Sequence, residues 1–261
     1  MKSTLKLKDQ ARRYEQREDW ERAIALYLQV LEQSEEEELE LPLYNRVGDL
    51  YLRLGRSVEA VDYYEKAADH YAEVGLYNNA IALCNKGLRH QPNRIELYHK
   101  LGRYAAAKGF LVEARQWFLE YAERRLKAGG LEAGFEALRE LIELSDDPEV
   151  RELLGRQLAA NGETEEAVEH LRRAYLSFID QGEQSRADAL RQELLRLDPT
   201  VDPDAPLPAH EVEEPGGEIE AEEAGDLAGA AVEPLPGFEL ETAAGSEERR
   251  VGKECRSRWS P

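Results

Sequence analysis

Three stretches of this chain carry the same small and aromatic residues in the same order, 54 and then 53 residues apart. The first runs Tyr44, Val47, Gly48, Tyr51, Gly55, Ala60, Tyr64, Ala67. The second runs Tyr98, Leu101, Gly102, Gly109, Ala114, Phe118, and the third Leu154, Gly155, Gly162, Ala167, Leu171, Ala174. Spacings within the copies match residue for residue, which chance does not produce three times over. A period of this length demands a repeat architecture, in which each unit buries its apolar face only against its neighbours.

Each copy reads as two amphipathic helices joined by a tight turn. Gly55, Gly109 and Gly162 fall where a helix ends, and glycine enters the left-handed region there without a Cβ penalty. Gly48, Gly102 and Gly155 lie inside the first helix, where glycine costs roughly 1 kcal/mol relative to alanine. That cost is offset if the second helix crosses close by, with Ala60, Ala114 and Ala167 as its small facing residues. Tyr64, Phe118 and Leu171 then fill the wider gap one turn later. The period leaves room for one more helix per copy. It is supplied by the runs from Ala80 to Pro92, Glu136 to Pro148 and Ala187 to Pro199, each following a glycine at 75, 129 or 182. Trp20 with Ala23, Ile24 and Leu26 repeats the first of these. Asn93 with Glu96 suggests a capping box, and Asp147-Pro148 places proline at a helix start. No segment alternates as a strand does.

These residues resemble the tetratricopeptide repeat, a 34-residue helix-turn-helix unit with small residues at its eighth and twentieth positions. Aligned so, units fall at about 4–37, 41–74, 95–128 and 148–181, with overlapping units at 61–94, 115–148 and 168–201 that share a helix. The first is degenerate: Ala11 replaces the glycine, while Tyr14, Ala23 and Tyr27 fit. Tyr121 stands where the family has a small residue. The resemblance implies an all-α fold over residues 1–200, a superhelical solenoid of αα-hairpins with about eleven antiparallel helices.

Composition changes near Pro199. Residues 201–245 carry prolines, glycines and many acids but no Lys or Arg, and such a segment buries too little apolar surface to offset its ordering entropy. It is expected to be a disordered acidic linker or tail, with Leu235–Leu240 its one apolar cluster and a candidate docking motif. Residues 246–261 turn basic, and their opening SEERRVGKEC resembles the translation of a short-read sequencing adapter; the native chain is then expected to continue past 245. Cys255 and Trp259 are set aside on that ground.

The chain has 54 acidic against 34 basic residues, a formal net charge of −20. Such a surface repels phosphates and anionic lipid, so neither nucleic acid nor membrane is an expected partner. No apolar run reaches membrane-spanning length and no secretory signal opens the chain, so a cytoplasmic location is expected. No phosphate-binding glycine loop occurs. His70, His90, His99 and His170 are scattered without metal-ligand spacing, and Cys84 sits where other copies place a core residue. The acidic run Glu35–Glu38 points its side chains in different directions, as a solvated charge run does. No cofactor and no catalytic activity are expected.

A stack of helix pairs offers an extended surface for a peptide or helix of another protein. In the tetratricopeptide family such surfaces bind partner peptides and nucleate assemblies, so the resemblance implies a non-catalytic scaffold or adaptor. The alternative is a regulatory subunit whose effector lies beyond the C-terminus. If the first helix of each unit lines the binding face, its outward residues are Asn45, Arg46, Asp49 and Arg53, then His99, Lys100 and Arg103, then Arg156. This row is basic on an acidic protein and would accept acidic peptides, unless its charges simply pair with nearby glutamates. It departs from the family's carboxylate clamp at Asp49 and Arg103, where asparagine is usual. The acidic tail could fold back onto this row, or serve only as a linker.

Overall fold

A computed structural model describes residues 2–33 and 41–206 of the chain. Eleven α-helices and no strand occur among them: α1 (Lys2–Glu15), α2 (Trp20–Gln33), α3 (Leu41–Arg53), α4 (Ser57–Glu73), α5 (Tyr77–His90), α6 (Glu96–Ala107), α7 (Leu111–Lys127), α8 (Leu131–Ser145), α9 (Pro148–Ala160), α10 (Thr164–Asp180) and α11 (Gln184–Leu197). Each helix packs against its neighbours in the chain, forming an all-α solenoid. The acidic run Glu35–Glu38, the tail beyond 206, the Leu235–Leu240 cluster and the basic end lie outside the described residues.

The recurrent glycines mark the closest approaches. A Cβ on Gly102 would stand 2.9 Å from Cδ2 of Phe118. One on Gly155 would stand 2.7 Å from Cγ of Leu171 and 3.1 Å from the carbonyl oxygen of Ala167. One on Gly48 would stand 2.7 Å from Cδ1 of Tyr64 and 3.0 Å from the carbonyl oxygen of Ala60. The expected pairing of glycine with alanine is thus refined. The glycine makes room for the ring or leucine one turn further on, and the alanine lets the facing backbone come near. Ala60, Ala114, Ala167, Tyr64, Phe118 and Leu171 are all buried. Full burial of a side chain such as Phe118 contributes about 1.5–3 kcal/mol.

The same chemistry recurs between the second and third helices of each unit. Ala68 and Ala80 in α4–α5, Ala122 and Gly134 in α7–α8, and Tyr175 and Ala187 in α10–α11 stand at equivalent positions, all buried, and a Cβ on Gly134 would stand 3.4 Å from the Ala122 carbonyl oxygen. The long middle helix is therefore shared between two repeat motifs. Turns between helices close alike. Gly109 has φ +76° and donates to Ala106 O at 2.8 Å, while Phe110 N donates to Ala105 O at 2.9 Å. This pair of bonds is the Schellman closure, and it recurs at Gly55 and Gly162.

Two helix starts were read from sequence, and they part company. Asp147 caps α9, accepting a hydrogen bond from Glu149 N at 2.8 Å with Pro148 at the first helical position. The Asn93–Glu96 capping box does not form. α6 begins at Glu96 with Ile95 as its N-cap and no side-chain cap, and Glu96 instead reaches across to Arg125 of α7.

Because Gly102 presses on an aromatic ring whereas Gly109 faces open space, leucine at 102 and alanine at 109 should differ sharply. Gly102→Leu is expected to cost about 3 kcal/mol by overpacking, and Gly109→Ala about 1 kcal/mol by backbone strain alone. Thermal melts followed by circular dichroism measure both; equal losses would contradict this packing.

Candidate functional site

Polar contacts between helices two apart in the chain define two layers. Arg46 of α3 binds Glu15 of α1, with Nε donating at 3.0 Å, and Lys86 of α5 donates to Asn45 of α3 at 3.0 Å. Arg115 of α7 binds Glu149 of α9 at 2.8 Å, and Arg156 of α9 binds Glu193 of α11 at 3.1 Å. In the other layer Lys100 of α6 binds Asp69 of α4 at 2.5 Å, His99 of α6 meets Glu140 of α8 at 2.7 Å, and Arg139 of α8 binds Glu166 of α10 at 2.8 Å. Odd-numbered helices thus form one layer and even-numbered helices the other.

Three helices per unit is an odd number, so the first helix of successive units alternates between layers. α3 and α9 lie in one and α6 in the other. The basic row expected from sequence is therefore divided: Asn45, Arg46, Asp49, Arg53 and Arg156 share a layer, while His99, Lys100 and Arg103 belong to the opposite one. Each member also has a partner within the protein. Asp49 accepts from Tyr64 Oη at 2.6 Å and pairs with Lys86. Arg53 lies 5.0 Å from the Trp20 ring centroid. Arg103 approaches Glu140 at 3.4 Å, and the His99 ring stacks on Tyr121 at 4.8 Å. Arg156 also binds Glu152 at 2.7 Å.

A groove opens between α1 and α3. It has a volume of about 510 Å³ and is lined by Lys8, Arg12, Glu15, Gln16, Tyr27, Pro42, Leu43 and Arg46. Its floor is apolar: Leu43 and Tyr27 are buried there. Glu15 is buried too, gripped by the Arg46 fork and the Tyr27 hydroxyl. Burial, with the neighbouring Glu15 carboxylate, pushes the Tyr27 hydroxyl up to about 12, so the phenol stays a donor. The hydrogen bond to Glu15 raises the Arg46 guanidinium further above its ordinary value. Three cations against one carboxylate leave the groove positive on a protein of net charge −20. Arg12 has only an exposed pair at 3.6 Å with Asp9 among the ion pairs described.

Lys8 and Arg12 were not among the residues singled out from sequence, although a signal existed. They stand 37 residues before Asn45 and Asp49, at the same register of the degenerate first unit. Elsewhere the described residues offer little for chemistry. No group of three or more His, Cys, Asp or Glu is placed to hold a metal ion. Cys84 is fully buried, and desolvation pushes its thiol up to about 12, far from a reactive thiolate. No helix among the described residues is long and apolar enough to cross a membrane.

Comparison with known proteins follows the same lines. Family models of the tetratricopeptide repeat match residues 7–41 and 41–70. No curated protein matches the chain. Among solved structures, the nearly identical TPR-like repeats named for a kinesin light chain of Podosopora anserina are 19% identical, with a TM-score of 0.34, covering 74% of this chain and 93% of that one. The Rap conjugation gene regulator of plasmid pLS20, solved with the Phr* peptide, is 15% identical with a TM-score of 0.35, covering 73% of this chain and 57% of that one. YrrB, described as a TPR protein with an unusual peptide-binding site, is 18% identical with a TM-score of 0.25, covering 71% and 90%.

The ion pairs within a layer make stability depend on pH in a stated direction. The hydrogen bond from Arg139 holds the Glu166 carboxyl below the usual carboxylate range. Its folded value lies below its unfolded one, so the stabilisation is present above the unfolded value of about 4.3 and fades as pH falls through the folded one. Arg139→Gln should lower the melting temperature at about pH 7 and lose that effect near pH 3. A deficit that stays constant across that range would speak against the pair.

Proposed function

Given that this chain belongs to the tetratricopeptide repeat family, we propose that it is a non-catalytic scaffold that binds partner proteins, and that the α1–α3 groove receives acidic peptide segments of them. The observation that carries the reading is the local charge reversal: Lys8, Arg12 and Arg46 ring an apolar floor on an otherwise strongly acidic molecule. A groove with apolar floor and cationic rim suits a peptide that alternates acidic and aliphatic side chains. The rim draws in negative charge and excludes basic partners, while the floor supplies the buried area. Arg46 both grips Glu15 and borders the groove, so it helps hold α1 against α3 as well as presenting charge. The remaining residues of the expected row have internal partners, and a ligand would reach them by competing with those carboxylates. The repeat fold is generally an interaction module, and the wholly buried Cys84 suits a reducing cytoplasm, where thiols persist.

The measurement is direct. A labelled peptide alternating Glu with Leu, titrated against the full chain by fluorescence anisotropy, should bind and weaken as salt rises. Lys8→Glu with Arg12→Glu should weaken it at least about tenfold, equivalent to 1.4 kcal/mol. Unchanged affinity, or equal binding of a Lys-Leu peptide, would remove the groove from consideration.

A further inference from the structure

The repeat does not stop at its last helix. Leu97 in α6 and Val150 in α9 are buried residues 53 apart near the starts of successive first helices. Another 53 residues on stands Pro203, also buried. Where a further unit would begin its first helix, the chain instead runs on through residues 201–206 without one. Pro206 accounts for the difference: it falls in what would be the second turn, where proline lacks the amide hydrogen and clashes with the preceding turn. Composition alone assigns these residues to the disordered tail; the structure seats them on α10 and α11. The seat lies on α10 and α11, which carry none of the basic-row residues onto which the tail could fold back instead of serving only as a linker.

The seat has the features of a peptide site. Tyr175 Oη donates to Asp204 Oδ1 at 2.5 Å, and Arg191 pairs with the same carboxylate at 2.7 Å. Arg172 Nη2 donates to the Pro206 carbonyl at 3.1 Å and to the Ala205 carbonyl. Val201 packs on the cluster that holds Leu171, Tyr175 and Leu194. The side chains of α10 and α11 thus read two backbone carbonyls and one carboxylate, features that any segment of the same pattern presents. Arg172 Nε is buried with no hydrogen-bond partner, so the resident segment leaves one donor of the seat unused. Consistent with the contacts, the Tyr175 hydrogen bond and then Arg191 hold the Asp204 carboxyl below its ordinary range.

We propose that the α10–α11 end face is a second peptide-binding site, for acidic, turn-forming segments of the Pro-Asp-x-Pro type on a partner protein, and that Pro203–Pro206 is its resident, displaceable occupant. Covalent attachment gives the resident a high effective concentration, in the millimolar range for a short tether, so a free peptide competes poorly until the resident is weakened. The site is distinct from the α1–α3 groove and stands whether or not that groove binds peptide.

The test uses the full chain and a fluorescein-labelled synthetic peptide copying residues 200–206. Asp204→Arg turns the resident's carboxylate into a cation facing Arg191 and should release it. This variant should bind the peptide at least about tenfold tighter than the unaltered chain. Adding Arg191→Glu should abolish that gain, as should replacing the peptide's second aspartate by asparagine, whereas Lys8→Glu with Arg12→Glu should leave it intact. Equal weak binding by the unaltered chain and Asp204→Arg would overturn the proposal. So would a substantial loss of helical circular dichroism in Asp204→Arg, because a displaceable occupant leaves its helices folded when it departs.

Discussion

The fold rests on how near two helices approach at a residue without a side chain. At Gly48, Gly102 and Gly155 the facing helix brings Tyr64, Phe118 or Leu171 into the space a Cβ would fill. The contact removes a large apolar side chain from water and fixes the crossing of the pair, so the glycine's poor helix propensity is outweighed. Everything else is arranged around that seat: the turn that returns the chain, the alanine that lets the backbone come near, and the long second helix whose other side meets the third.

From the third helix comes the least obvious property of the structure. A hairpin repeat returns each first helix to the same layer; a three-helix repeat alternates it. Residues at one register of the repeat thus face opposite sides in successive units, and a binding strip cannot be made by repeating a residue at that register. The charged positions instead tie neighbours within a layer. Lys86 lies on Asn45, and 54 residues on Glu140 lies on His99. The register is kept while the charged member at one position changes from Lys86 to Glu140. Such half-exposed pairs contribute little each, typically under about 1 kcal/mol, but they discriminate one stacking register from another.

The two proposed sites lie where the repeat is imperfect. The degenerate first unit puts Lys8 and Arg12 where the next unit carries Asn45 and Asp49, and the groove they line beside α3 is positive. After α11, proline replaces the buried aliphatic residue of the next first helix, and a non-helical segment with a turn at Pro203–Asp204 sits on α10 and α11.

Sequence alone determined the helices, their number, the tight turns and the glycine contacts, since each rests on local chemistry or on a period that can be counted. Asp147-Pro148 is a fair instance: cap and proline act within two residues of each other. Glu96 is the opposite instance, because its partner Arg125 lies 29 residues away and outcompetes the local cap. Layer membership, the pairing of Arg46 with Glu15 and the seating of Asp204 on Tyr175 and Arg191 were decided only in three dimensions. Those contacts join residues 13 to 41 positions apart, and a periodic pattern says which residues are equivalent without saying which of them meet.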